Sequence, residues 1–292
     1  MRSMTGGPPQ EPESRGIPRV ITYRHVHIGP GDEPPILRYG EVIYKAKGKF
    51  LAREGTAFIE LLPCGEVVVK TPTPDPFYPR EEEDHRNHTR LETQVYQRIG
   101  PHASIPKLVS WDPVTFCLTL EYLAHGNLRD YVRSHTGTIT PDLRWKWAWQ
   151  AAQGPCVLHD ADVIHCDISP RNFLLDTDLD LKISDFGGSS PYGSVPAAFA
   201  STRYRRPGYI WDDPPHVNDD IFGLGSLLYF IMTGMVPYEE VPSDEVVARY
   251  TRLEFPDVSH LSCGDIIQQC WNSKVDARQK GALSTRSLNT TN

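Results

Sequence analysis

Residues able to do polar chemistry gather in one stretch: His165, Cys166, Asp167, Ile168, Ser169, Pro170, Arg171 and Asn172, followed by Ile183, Ser184, Asp185, Phe186 and Gly187. It holds two carboxylates, Asp167 and Asp185, and one carboxamide, Asn172. Phe173–Leu175 and Leu181–Ile183 are short apolar runs around Asp176–Asp180 and read as a hairpin between the two groups. Such a turn brings Asn172 and Asp185 together as oxygen ligands for Mg²⁺ and leaves Asp167 facing a substrate hydroxyl. A metal clamp, a carboxylate that orients a hydroxyl and a cation on the phosphates are the parts phosphoryl transfer requires. Lys70, on a strand behind Val67, Val68 and Val69, supplies a candidate cation.

These residues need elements to position them. From 36 to 121 the chain alternates as strands do: Ile36–Gly48, Ala57–Pro63, then a Cys64-Gly65 turn and Glu66–Thr71 as a hairpin, with Leu108–Trp111 and Phe116–Glu121 as two more strands. Val20–Tyr23 and Val26–Ile28 are candidate short extra strands. Between them Glu81–Gly100 carries Leu91, Val95, Tyr96 and Ile99 at helical spacing and stops at Gly100-Pro101, an amphipathic helix. Beyond 122 the pattern turns helical. Leu143, Trp147, Ala151 and Leu158 share a face, with Pro155 expected to kink that helix. Further helices fall at 220–233, near 243–253 and at 264–271. The expected fold class is α+β, a small β-rich lobe followed by a larger α-helical one, without internal repeats.

The resemblance is to the eukaryotic-type protein kinase domain. His165–Asn172 matches the family's H-R-D-x-x-x-x-N loop except at the Arg, where Cys166 stands, and Asp185-Phe186-Gly187 is an intact D-F-G. Val67–Lys70 resembles V-A-I-K. Glu92 sits where the family's helix Glu belongs, and Leu118–Leu123 resembles the hinge. Arg205–Gly208 takes the A-P-E place, Asp220–Gly225 resembles D-x-W-S-x-G, and Cys270-Trp271 with Arg278 resembles the late C-W…R element. The ordered set spans roughly residues 45–280.

The resemblance implies a bilobal fold: a loose segment at 1–35, an N-lobe at 36–121, a C-lobe at 122–280 and a tail at 281–292. It implies that ATP and Mg²⁺ are used to phosphorylate a protein hydroxyl. Lys70 would hold the nucleotide phosphates and pair with Glu92, Asp167 would orient the acceptor, and Asn172 and Asp185 would bind metal. Val68 and Leu174 would sandwich the adenine, Glu121 and Leu123 would hydrogen-bond it through their backbones, and Gly55 would cover the phosphates. Tyr96, Leu108, His165 and Phe186 would stack as a spine anchored by Asp220.

The chain also departs from the pattern. No G-x-G-x-x-G precedes Lys70; Glu54-Gly55-Thr56-Ala57 is the small-residue turn available, and weak nucleotide affinity is expected. Ser169 replaces the Lys of serine/threonine kinases, and Arg171 resembles tyrosine-kinase loops. Ser201 and Tyr204 nevertheless follow the serine/threonine spacing, so Ser or Thr acceptors are expected over Tyr. Gly208 replaces a Glu, and Asp212 or Asp213 is expected to pair with Arg278 instead. The alternatives are a pseudokinase acting as a binding module and a small-molecule phosphotransferase. The D-F-G, the 205–208 element, Asp220 and Trp271 favour the protein kinase.

Composition bounds the remaining choices. Net charge −7 over 292 residues argues against a protein built to hold nucleic acid. The six cysteines have no paired C-x-x-C spacing and suit a reducing, intracellular compartment, cytoplasmic or nuclear. Residues 1–18 read as a disordered tail without an apolar signal. The uncharged run Ile221–Tyr238, broken by three glycines and a proline, reads as a buried core helix rather than a membrane span. Asp176, Asp178 and Asp180 lack the Gly and Glu of a calcium loop, and His85 and His88 read as exposed.

Overall fold

A computed structural model of the chain describes residues 20–27, 31, 33, 35–210 and 213–272. The expected tail, Ile28, Asp212 and Arg278 with everything after it lie outside the described residues, as does the proposed Arg278 pairing.

The β-rich region begins with β1 (Thr22–Val26) paired in parallel with β2 (Glu41–Lys45). One strand thus stands where two short ones were expected. A five-stranded antiparallel sheet follows, built from β3 (Lys49–Arg53), β4 (Ala57–Leu61), β5 (Val67–Pro72), β6 (Leu108–Asp112) and β7 (Cys117–Glu121), in the order β3-β4-β5-β7-β6. The Cys64-Gly65 turn joins β4 to β5 with Ile59 opposite Lys70, and Lys70 lies opposite Leu118 of β7. Tyr23 and His25 of β1 set their rings against Phe58 at centroid distances of 5.1 and 5.0 Å. Tyr44 donates to buried Glu60 at 2.5 Å. These contacts tie the extra strand to the β3–β4 hairpin.

Between β5 and β6 runs α1 (Pro79–Ile99), with Pro79 at its start and Gly100 just past its end. Its buried stripe is Thr89, Glu92, Thr93, Val95 and Tyr96. The polar members of that stripe are the departure from simple amphipathicity: Thr89 and Thr93 donate their hydroxyls back to the carbonyls of His85 and Thr89, and Glu92 is the one with an ionic partner.

The helical region contains β8 (Gly126–Asn127), α2 (Leu128–Ser134), α3 (Pro141–Asp160), β9 (Val163–Ile164), β10 (Phe173–Leu175), β11 (Leu181–Ile183), β12 (Ser190–Pro191), α4 (Val217–Thr233), α5 (Ser243–Thr251) and α6 (Gly264–Trp271). Helix α3 continues through Pro155, whose ring is buried beside Ala151 and Leu158. The expected hairpin is β10–β11, extended by β8, while β12 pairs with β9.

Helix α4 is apolar nearly all round, as a core helix must be. Two of its glycines are demanded by close approach. A Cβ on Gly223 would lie 2.9 Å from Ile168, and one on Gly225 would lie 2.7 Å from Cys270. The first contact sets α4 against the loop that carries Asp167, and the second sets it against α6. Trp271 is buried there and donates its indole N–H to Ser226 at 3.0 Å. No helix among the described residues is long and apolar enough to cross a membrane.

Candidate active site

The β4–β5 hairpin and α1 present Lys70 and Glu92 to each other, and their ion pair closes at 2.7 Å with both side chains almost fully buried. Lys70 also reaches Asp185 at 2.7 Å, so β5, α1 and the segment after β11 converge on one ammonium. A third carboxylate was not expected: Glu54, from the turn between β3 and β4, lies 2.8 Å from the same nitrogen with its side chain 42% exposed. The sequence signal for this was only an acid directly before Gly55. Gly55 has open space around its Cα and a non-positive φ, so this turn does not require glycine there.

Three carboxylates around one cation perturb each other. Burial pushes Lys70 down, but Asp185, Glu54 and Glu92 outweigh it, and the ammonium is held well above its ordinary range. Burial raises Glu92 to about 7; Lys70 opposes this, and Asp185 and Glu54 add to the rise. For Asp185 burial also acts upward, but Lys70 prevails and holds it below the usual carboxylate range. The surplus negative charge therefore falls on the two glutamates.

The loop between β9 and β10 is fixed by Asp220 of α4, which is 1% exposed. Its carboxylate accepts the backbone N–H groups of His165 and Cys166 at 2.8 and 2.9 Å, and the His159 ring lies 2.8 Å away. Cys166 takes a left-handed φ of 70°, unusual for a side-chain-bearing residue, and Asp220 is what holds it there. His165 accepts the Asp167 N–H at Nδ1 (3.2 Å), while Nε2 lies 3.0 Å from the Ser184 carbonyl and donates to it. Phe186 packs on Tyr96 and His165 at centroid distances of 4.8 and 5.8 Å. These contacts join α1, the Asp167 loop and the Asp185 turn through a single stack of rings. Leu108 is half-buried at the edge of the same core.

Asn172 donates its amide to the Asp167 carboxylate at 2.9 Å and to the Asp167 carbonyl at 2.7 Å. This turns the amide N–H₂ toward Asp167 and leaves the amide oxygen for other partners. Burial raises the Asp167 pKa, against the lowering effects of His165 and Asn172.

Among the described residues no group of three or more His, Cys, Asp or Glu gathers as a metal cage. A magnesium ion does not need one, because it keeps waters and phosphate oxygens and takes one or two protein oxygens. The Asp185 carboxylate and the Asn172 amide oxygen fit that demand.

The remaining expected positions fall on the sheet and the chain leaving it. Val68 on β5 and Leu174 on β10 are half-buried. The Glu121 N–H is used by the Lys107 carbonyl at 3.0 Å, and its side chain pairs with Lys182 at 2.8 Å. The Leu123 carbonyl accepts from Gly126 at 3.1 Å, whereas the Leu123 N–H has no partner among the described residues. That free N–H is a ready donor.

Comparison with known proteins identifies the family of the chain. Residues 67–285 match the protein kinase domain family. Rat mitogen-activated protein kinase kinase kinase 12 is 33% identical over 168 residues, 54% of this chain and 19% of that protein. Human mitogen-activated protein kinase kinase kinase 13 is 33% identical over 166 residues, 54% of this chain and 17% of that protein. Arabidopsis thaliana serine/threonine-protein kinase STY17 is 25% identical over 202 residues, 67% of this chain and 34% of that protein. The chain thus spans between a sixth and about a third of the length of these relatives. With the matched segment covering most of the chain and holding Lys70, Glu92, Asp167, Asn172 and Asp185 in one site, the chain belongs to the protein kinase domain family.

Proposed function

We propose that this chain transfers the γ-phosphoryl group of ATP, with Mg²⁺, to serine or threonine hydroxyls of proteins. The observation that carries the reading is the closed Lys70–Glu92–Asp185 cluster beside Asp167, since a phosphate-binding cation, a metal-binding carboxylate and a hydroxyl-orienting carboxylate are then in one place. The serine/threonine assignment draws on the similarity to STY17, a serine/threonine-protein kinase.

In this reading Lys70 draws the nucleotide phosphates to the sheet, with Glu92 keeping its ammonium charged and aimed. The adenine lies between Val68 and Leu174 and takes a hydrogen bond from the Leu123 N–H. Asp167 receives the acceptor hydroxyl, its carboxylate steadied by the Asn172 amide. Magnesium, held by Asp185 and Asn172, neutralises charge on the phosphates. The lobes divide after Glu121, giving 36–121 and 122–280. All six cysteines are free thiols, which suits an intracellular protein. The test is transfer of labelled phosphate from ATP·Mg²⁺ to generic protein acceptors by the wild type and by Asp167→Ala. Loss in the variant supports the reading, and equal activity in the two refutes it.

A further inference from the structure

Arg129 is the second residue of α2, and its backbone N–H donates to the Pro170 carbonyl at 3.1 Å. Arg171 follows Pro170 directly. One hydrogen bond thus places two arginines side by side at the loop that carries Asp167. No carboxylate or carbonyl of the described residues pairs with either guanidinium. The Nε of Arg129 is buried with no acceptor. Nearby arginines have acceptors: Arg203, although its Nε too is buried without one, donates to the carbonyls of Tyr238, Glu239 and Val241, and Arg206 pairs with Asp219 at 2.8 Å.

Other groups complete the surroundings. Arg133, one turn along α2, is held by Glu239 at 3.2 Å. Asp130 accepts from the Asn127 amide at 2.8 Å. The Tyr204 hydroxyl is buried without a hydrogen-bond partner, in a residue only 5% exposed, and burial keeps it a neutral phenol. Burial lowers the Arg129 pKa, and the charges of Arg171 and then Arg133 lower it further. Arg171 in turn acts on Asp167. A buried donor without an acceptor is costly, and clustered like charges add to the cost. Both costs disappear when an anion enters between them.

We propose that Arg129 and Arg171, with Arg133 and the Tyr204 hydroxyl beside them, form an anion subsite that selects acceptor proteins bearing an acidic or phosphorylated side chain close to the target hydroxyl. The proposal rests on the kinase reading for its acceptor. Arg171 shares the loop of Asp167 and acts on its carboxylate, so an anion flanking the hydroxyl at Asp167 comes to the loop on which Arg171 and Arg129 meet. Guanidinium groups take carboxylate and phosphate oxygens through paired N–H donors, so either anion serves.

The experiment has two arms. The first compares kcat/KM for serine peptides with neutral, Asp-containing, phosphoserine-containing and Lys-containing flanks. Wild type is expected to favour an acidic flank by about tenfold or more, the factor that ~1.4 kcal/mol supplies. The preference falls to near unity in Arg129→Gln/Arg171→Gln and moves toward Lys flanks in Arg171→Glu. The Asp-flanked and phosphoserine-flanked peptides separate the two anions: a gain confined to phosphoserine marks phosphate, and a gain shared with Asp marks any anion. The second arm measures anisotropy of a labelled phosphoserine peptide bound to Asp167→Asn protein, without turnover. Binding weakens with added salt and is lost in the double arginine variant, while Arg129→Lys, which keeps the charge, retains part of it. Phosphotransfer with no acidic preference, or a preference that survives the double variant in folded protein, overturns the subsite and leaves the kinase reading standing. Peptide binding that depends on the arginines without transfer to any peptide does the reverse.

Discussion

Replacing Glu54 by Gln is expected to tighten nucleotide binding, opposite to the usual result of changing a residue that touches a catalytic lysine. The Glu54 carboxylate lies 2.8 Å from the Lys70 ammonium, the nitrogen that a phosphate has to reach. Glu92 and Asp185 already supply two negative charges at 2.7 Å each, so the cation is over-neutralised. A phosphate that replaces Glu54 at the ammonium remains near the displaced carboxylate. Two unit charges ~4 Å apart repel by ~4 kcal/mol at an effective dielectric constant of about 20. Glu54 is 42% exposed and can swing toward water, and salt screens it further. The ion pair it forms with Lys70 is worth at most about 1 kcal/mol at such exposure. A net gain of roughly 1 kcal/mol on removing the charge corresponds to about fivefold in Kd. The assay is calorimetric titration of ATP·Mg²⁺ into Glu54→Gln and unchanged protein, both carrying Asp167→Asn to prevent turnover, with thermal melts confirming that both are folded. A Kd that stays within about 1.5-fold, or rises, would refute the reasoning and show that Glu54 either leaves Lys70 at no cost or helps to hold the nucleotide.

Asp167→Ala should lower phosphotransfer by orders of magnitude while leaving the ATP·Mg²⁺ Kd nearly unchanged; activity retained within about tenfold, ~1.4 kcal/mol of barrier, counts against Asp167 as the hydroxyl-orienting carboxylate. Lys70→Met and Asp185→Asn should each weaken the thermal stabilisation produced by millimolar ATP with Mg²⁺, and an undiminished shift in either variant argues against its place on the phosphates or the metal. Because burial holds Asp167 above its ordinary range in the free protein and the carboxylate is the active form, kcat/KM should fall on acidification at a pH above that of an unperturbed aspartate; a kcat/KM still flat at pH ~4 contradicts this. Activity should not depend on phosphorylation of the 185–207 loop. Cys166 is a neutral thiol whose pKa burial raises, Arg203 and Arg206 are already held by carbonyls and by Asp219, and Arg129 and Arg171 are assigned to the acceptor. A reversible loss of more than about fivefold, ~1 kcal/mol, after phosphatase treatment would show a phosphate switch.

Local pattern is enough to place most of the elements. The alternation around Val67–Lys70, the Cys64-Gly65 turn, the stripe of Leu91, Val95 and Tyr96, and the stop at Gly100-Pro101 each state a backbone preference that burial then rewards, and they appear as β4, β5 and α1. The Asp167–Asn172 pairing is likewise legible, because the two residues share one short loop. Pro155 shows where local preference yields: the helix continues through it because the ring is buried beside Ala151 and Leu158.

The order of the elements and the identity of the polar groups on them are therefore properties of local pattern. Tertiary structure alone decided which charges share a partner. Glu54, Glu92 and Asp185 come from three distant segments, and their meeting on Lys70 depends on how the β3–β4 turn, α1 and the Asp185 turn pack. The same holds for Arg129, whose place beside Arg171 follows from one backbone hydrogen bond to Pro170. Electrostatic energy depends on distance in space and on burial, and neither is a property of sequence spacing.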